Sequence, residues 1–190
     1  MEKEMDFTRS HIRGITLIEL VTAIAITGIL TSLAIPSFNH MRAGNAMAAS
    51  LNLFLAQLHL ARSTAVTRER HITLCPTADT TTCSDDPRDW ADGYLIFEDR
   101  NRNAERDSNE EIVSHASQAS GDIRISSSRY RNRISFQSQG RAWFSNATIR
   151  FCHNQYPDLN RKIIISNNGR VRKEKAPLQA SMGCSTGNRQ

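Results

Sequence analysis

Between Ile15 and Ile35 the chain carries a single charged side chain, Glu19, and Pro36 closes the run. These 21 residues suffice for a membrane-crossing helix, because about 20 residues at about 1.5 Å rise cover a hydrocarbon core of about 30 Å. A carboxylate inside such a segment is costly and commonly functional. Beyond Pro36, apolar residues recur at Phe38, Met41, Leu51, Leu55, Leu58 and Ala65, with Ala48 and Ala61 at small positions. That spacing gives one apolar stripe for packing on a globular domain. Pro36 predicts a kink rather than a stop, since membrane helices tolerate proline. The pattern therefore predicts one helix over 15–67, with 15–36 as a membrane half and 37–67 as an amphipathic half.

After Arg70 the pattern shortens to β-type runs separated by turn residues. His71–Cys75, Tyr94–Glu98, Glu111–Ser114, Ile123–Ser126, Arg133–Gln137, Thr148–Cys152 and Lys162–Ser166 are the expected strands. Tyr94–Phe97 and Ile163–Ile165 are continuously apolar and read as buried, whereas Ile134/Phe136 and Ile149/Phe151 alternate. Asn167-Asn168-Gly169 predicts a tight hairpin turn, because Asn and Gly tolerate positive φ. Residues 68–190 can bury one modest core around the helix. The expected fold class is α+β, a long N-terminal helix packed on antiparallel sheet.

Charge is unevenly spread. The first 14 residues balance three basic side chains against three acidic. Residues 15–123 hold eight basic and 14 acidic, a net −6, and residues 124–190 hold 13 basic and two acidic, a net +11. A C-terminal region this basic points to an acidic partner. Within it, Arg170 and Arg172 follow the turn and alternate onto one face of a strand, with Val171 opposite. Two guanidinium groups about 7 Å apart can grip neighbouring phosphates. Lys173 and Lys175 extend the positive rim, and Arg161 and Lys162 enter the same hairpin. Few aromatic residues lie nearby (Trp143, Phe144, Tyr156), so nucleic-acid binding is expected to be backbone-directed and weakly selective for sequence.

Four cysteines in a domain carried across a membrane read as disulfides. Three connectivities are possible and the sequence does not choose among them. Cys75–Cys83 with Cys152–Cys184 is preferred because neither loop crosses the other, each bridge contributing roughly 2.5–4 kcal/mol on the chain-entropy model. Zinc fits poorly, since neither pair has C-x-x-C spacing and His153 is the lone support. Oxygen-bearing residues at 99, 101, 103, 105, 107 and 110 imitate a calcium loop, but Ala104 replaces the turn glycine and Arg100, Arg102 and Arg106 intrude. A solvated turn capped by its Asx side chains is the preferred reading, and no metal or cofactor is expected. The histidines at 11, 40, 59, 71, 115 and 153 are scattered, and Ser166 lacks a glycine elbow. No catalytic site is expected, and the protein is read as a substrate of enzymes.

The order Gly14-Ile15-Thr16-Leu17-Ile18-Glu19 resembles the type III leader of type IV prepilins and pseudopilins. Trp90-Ala91-Asp92-Gly93-Tyr94-Leu95-Ile96-Phe97 is similar to the W-x-x-G-[YW]-x-x-F stretch of the FimT/GspH family within that superfamily. His71–Cys75 resembles its V-T-L-C strand, and Gly169-Arg170-Val171-Arg172 resembles the G-R-x-R motif by which FimT-type minor pilins of naturally competent bacteria bind DNA. The resemblance implies a pilin-like fold in which 1–14 is a leader removed by prepilin peptidase, 15–36 a transmembrane and fibre-core helix, and 68–190 the globular domain. It implies cleavage after Gly14 and N-methylation of Ile15, where the family usually has Phe. Glu19 falls at the fifth mature position and would pair with the N-terminal amine of an adjacent subunit during assembly. The implied partners are DNA, other major and minor pilins, and an inner-membrane assembly platform. The implied location is the bacterial inner membrane, single-pass, with the domain in the periplasm before assembly into a surface pilus or pseudopilus. DNA uptake in natural transformation is the expected function. The alternative is a structural minor pilin or pseudopilin that primes pilus or type II secretion pseudopilus assembly.

Overall fold

The computed structural model describes residues 14–117, 121–128, 131–176 and 184. Its compact units are Met1–His40 and Met41–Gln190. Helix α1, Leu17–Arg68, runs on through Pro36. Thr16 starts it, because the Thr16 hydroxyl accepts the Glu19 amide at 3.3 Å. Thr at the cap with Glu three residues on is the capping-box arrangement, so Glu19 also serves the helix N-terminus. The helix stops at a left-handed Glu69, φ 54°, and the Arg70 amide donates back to the Ala65 carbonyl at 3.1 Å. That six-to-one bond is a Schellman closure without its usual glycine.

In the first unit the described residues are exposed, and α1 is long and apolar enough to cross a membrane. Hydroxyls on this stretch are satisfied internally: Thr27 donates to Ala23 O at 2.8 Å and Ser32 to Ile29 O at 2.7 Å. Such back-bonding suits an environment with no water to take up a stray donor.

In the second unit α1 buries Ala43, Met47, Leu51, Phe54, Leu58, Ala61 and Ala65, spaced by threes and fours. The stripe differs from the expected one at Phe38 and Met41, which are 55% and 54% exposed, at Ala48, which is exposed, and at Leu55, which is only partly buried. Phe54 sets the difference. Its ring meets Trp90, Tyr94 and Phe151 edge to face at centroid distances of 5.5, 5.1 and 5.6 Å. Residues in phase with it, Met47 and Ala43 among them, therefore face inward.

The strands are β1 Ile72–Pro76, β2 Gly93–Glu98, β3 Ile112–Ser117, β4 Ile123–Ser126, β5 Ile134–Phe136, β6 Ala147–His153, β7 Arg161–Ile165 and β8 Val171–Lys175. They form two four-stranded sheets, β3-β2-β1-β5 and β4-β6-β7-β8, antiparallel throughout. One core joins α1 to both sheets through Ile72, Leu74, Ile96, Ile149, Phe151 and Ile163. The second face of the first sheet holds a smaller cluster of Cys75, Leu95 and Phe97, so β1 and β2 are buried on both faces. In β7 the expected continuous burial gives way to alternation, with Ile163 and Ile165 buried and Ile164 half-buried.

Candidate functional site

The basic hairpin is built on Ser166–Arg170. Gly169 N donates to Ser166 O at 2.8 Å and Ser166 N to Arg170 O at 3.0 Å, which makes Asn167-Asn168-Gly169 a three-residue loop. Gly169 has φ +77°, the left-handed residue that such a loop requires. A Cβ there would lie 2.0 Å from the Gly140 carbonyl oxygen. The Arg62 guanidinium, on α1, donates to the Gly169 carbonyl at 3.0 Å, and Ala142 N donates to Asn167 O at 3.0 Å. The tip is therefore anchored to the helix and to the loop before β6. Trp143 and Phe144 follow Ala142 directly, 49% and 77% exposed, and stack edge to face.

Strand register divides the expected rim in two. Residues directly opposite in an antiparallel pair share a face. Lys173 lies opposite buried Ile163, Lys175 opposite Arg161, and Val171 opposite buried Ile165. Arg161, Lys173 and Lys175 therefore sit on the helix side of β7–β8. Arg172 lies opposite Ile164 and Glu174 opposite Lys162, on the outer face. Arg170, two residues before Arg172, is exposed as well. The two groups are not one continuous rim.

The outer face gathers two cations that the sequence reading left out. Lys162 lies opposite Arg150, Arg150 opposite Ser126, and Arg124 opposite Cys152. Arg124, Arg150, Lys162, Arg170 and Arg172 thus share a surface with one acid, Glu174, which pairs with Lys162 at 3.1 Å. Four strands at about 4.8 Å make that surface about 14 Å wide. Alternation in Ile123–Ser126 and Thr148–Phe151 pointed Arg124 and Arg150 outward. Only the pairing register placed them beside the hairpin. Cys152 is bonded to Cys184, whose carbonyl accepts from Arg124 at 3.5 Å.

The remaining candidates are structural where described. Cys75 and Cys83 form the other disulfide. Asp79 closes that loop by accepting from the amides of Thr81 and Thr82 at 2.9 and 2.7 Å. These bonds hold its carboxyl well below the usual carboxylate range. In the 99–110 loop, Asp99 accepts from the amides of Asn103 and Ala104, and Glu110 from those of Arg100 and Asp107. Ala104 takes the left-handed turn at φ 61°. Among the described residues no group of three or more His, Cys, Asp or Glu side chains could hold a metal. His153 caps its own turn, its Nδ1 accepting from Gln155 N at 3.2 Å and Tyr156 N at 3.3 Å. Gly14 and Ile15 precede α1 and are exposed.

The family model described as type II transport protein GspH matches residues 50–169, and the prokaryotic N-terminal methylation motif matches residues 9–35. The chain belongs to the GspH family, a family of pilins and pseudopilins rather than of known enzymes. The crystal structure of the Pseudomonas aeruginosa type IV minor pilin FimU is similar over 70% of this chain and 90% of that one, with a TM-score of 0.51 and 20% identity. The minor pseudopilin EpsH of the Vibrio cholerae type 2 secretion system is similar over 67% and 95%, at TM-score 0.45 and 10% identity. Comparison with curated proteins gives no significant match. The fold is pilin-like, and the chain is a minor pilin or pseudopilin with a methylation motif.

Proposed function

We propose that this minor pilin binds DNA through the outer face of the β4-β6-β7-β8 sheet, for DNA uptake in natural transformation. Five cations against one acid on a single sheet face is the observation that carries the reading. Each cation over a phosphate releases condensed counterions, so affinity is electrostatic and indifferent to base sequence. Arg170 and Arg172 are the primary contacts, with Arg150, Lys162 and Arg124 behind them. Arg161, Lys173 and Lys175, on the helix side, are left out of this contact.

The reading includes cleavage after Gly14, methylation of Ile15, and a mature chain anchored in the inner membrane by 15–36 until it joins other pilins. Intact mass of the protein from its host reads the processing directly. For DNA, three to four phosphate contacts give a slope of log K against log salt of roughly −3 to −4. Fluorescence anisotropy of the unit from Met41 onward with random duplexes at several salt concentrations measures that slope. Absence of binding at low salt from a folded domain overturns the reading. The second reading, a structural pseudopilin of type II secretion, is favoured by the GspH match over residues 50–169. It would then stand alone.

A further inference from the structure

A groove of about 420 Å³ lies between the start of α1 in the second unit and strand β8. Met47, Leu51 and Leu159, all buried, give it apolar walls, and Arg161, Lys173 and Lys175 give it positive charge. Glu174 borders it between the two lysines, but strand register turns its carboxylate to the outer face, where it pairs with Lys162 at 3.1 Å. The Arg161 guanidinium donates to the carbonyls of Asp158 and Asn160 at 3.0 and 2.9 Å, which fixes it at the groove's edge. Among the described residues Lys173 and Lys175 make no ion pair.

We propose that this groove holds an anionic phospholipid, with its phosphate on Lys173, Lys175 and Arg161 and the start of an acyl chain on Met47, Leu51 and Leu159. Charge and apolarity meet in one site, which matches a lipid and not a phosphodiester strand, whose backbone has nothing to place on the apolar walls. Chain length supports the same occupant. Gly44, on the groove wall, follows Pro36 by eight residues, so it stays within about 28 Å of the end of the apolar run even if the chain were fully extended. A chain anchored by 15–36 is tethered to a surface where clustered cations favour anionic lipid. The proposal rests on the membrane-spanning reading of 15–36 and is independent of DNA binding.

The test uses the full chain in neutral detergent, titrated with equal amounts of phosphatidylglycerol and phosphatidylcholine of matched acyl chains, with bound lipid counted by native mass spectrometry. Wild type should favour phosphatidylglycerol, and Lys173→Gln with Lys175→Gln should cut that preference by up to about thirty-fold. Arg170→Gln with Arg172→Gln changes net charge equally on the opposite face and should leave the preference intact. Ala48→Leu narrows the groove on a helix that accepts leucine well, and should reduce binding of both lipids while circular dichroism stays unchanged. Retention of the preference in the lysine pair overturns the proposal, as does equal loss in the arginine pair. Full displacement of lipid by soluble glycerol phosphate reduces the groove to a simple anion site and overturns it too. Carbonate extraction of cell membranes reports separately whether the anchor reading has failed.

Discussion

The two sheets use their charges in opposite ways. Around β3-β2-β1-β5 charge is consumed by the fold. Buried Glu98 lies between Arg68, Arg70 and Arg100 at 3.6, 3.9 and 3.2 Å. Arg133 clamps two loops, donating to Ser84 O at 2.7 Å and Ala104 O at 3.0 Å and pairing with Asp85 and Glu105 at 3.0 and 3.1 Å. Across the outer face of β4-β6-β7-β8, five cations face one acid. Like charges held together repel each other, and nothing described on that face offsets them beyond the Lys162–Glu174 pair. Charge that serves no fold contact is the better pointer to a ligand.

Perturbing the shared core should have the largest effect. Phe54 touches aromatic residues of both sheets and the 3-10 turn Asp89–Ala91. Phe54→Ala should cost about 3–5 kcal/mol, read as a drop in the denaturation midpoint that both sheets share. Gly169→Ala comes next. Overlap with the Gly140 carbonyl and left-handed strain should together cost roughly 2–4 kcal/mol and loosen the hairpin. Loss of DNA affinity should accompany the lowered melting temperature.

Arg133→Gln sharpens the contrast between the sheets. It should destabilise by about 1–2 kcal/mol, because the half-buried carbonyls of Ser84 and Ala104 lose their donors, yet leave DNA affinity unchanged. Asp79 gives the smallest effect. Its folded-state pKa is depressed, so its contribution is present above the ordinary carboxylate range and lost as pH falls through the lowered value. Asp79→Asn should therefore lower the melting temperature near neutral pH and converge with wild type in strong acid, as thermal scans at several pH values would register.

Much of this was legible in the residues. Helix α1 was expected over 15–67 and runs Leu17–Arg68, and each expected strand has a counterpart, because period and turn chemistry are local properties. Asn167-Asn168-Gly169 was legible for the same reason. What escaped was set by contacts distant in sequence. Two apolar stripes compete locally on α1, one through Met41 and Leu55 and one through Met47 and Phe54, and Phe54 meeting Trp90 and Phe151 decides for the second. Membership of Arg124 and Arg150 in the basic face required the β4–β6–β7 register. Separation of Lys173 from Arg172 was within reach, since strict alternation places them on opposite faces. Clustering in sequence hid it.

The proposed DNA site is the outer face of the second sheet, as distinct from basicity in general. Arg170→Gln with Arg172→Gln should therefore be compared with Arg70→Gln plus Arg102→Gln, which removes the same charge from the segments that flank β1 and β2. Salt-titrated anisotropy on random duplexes is the measurement, with circular dichroism confirming each fold. The first pair should flatten the slope of log K against log salt by about 1.8, or two contacts, and the second should leave it at the wild-type value. Equal slopes for the two folded pairs would rule out the outer face as the DNA site.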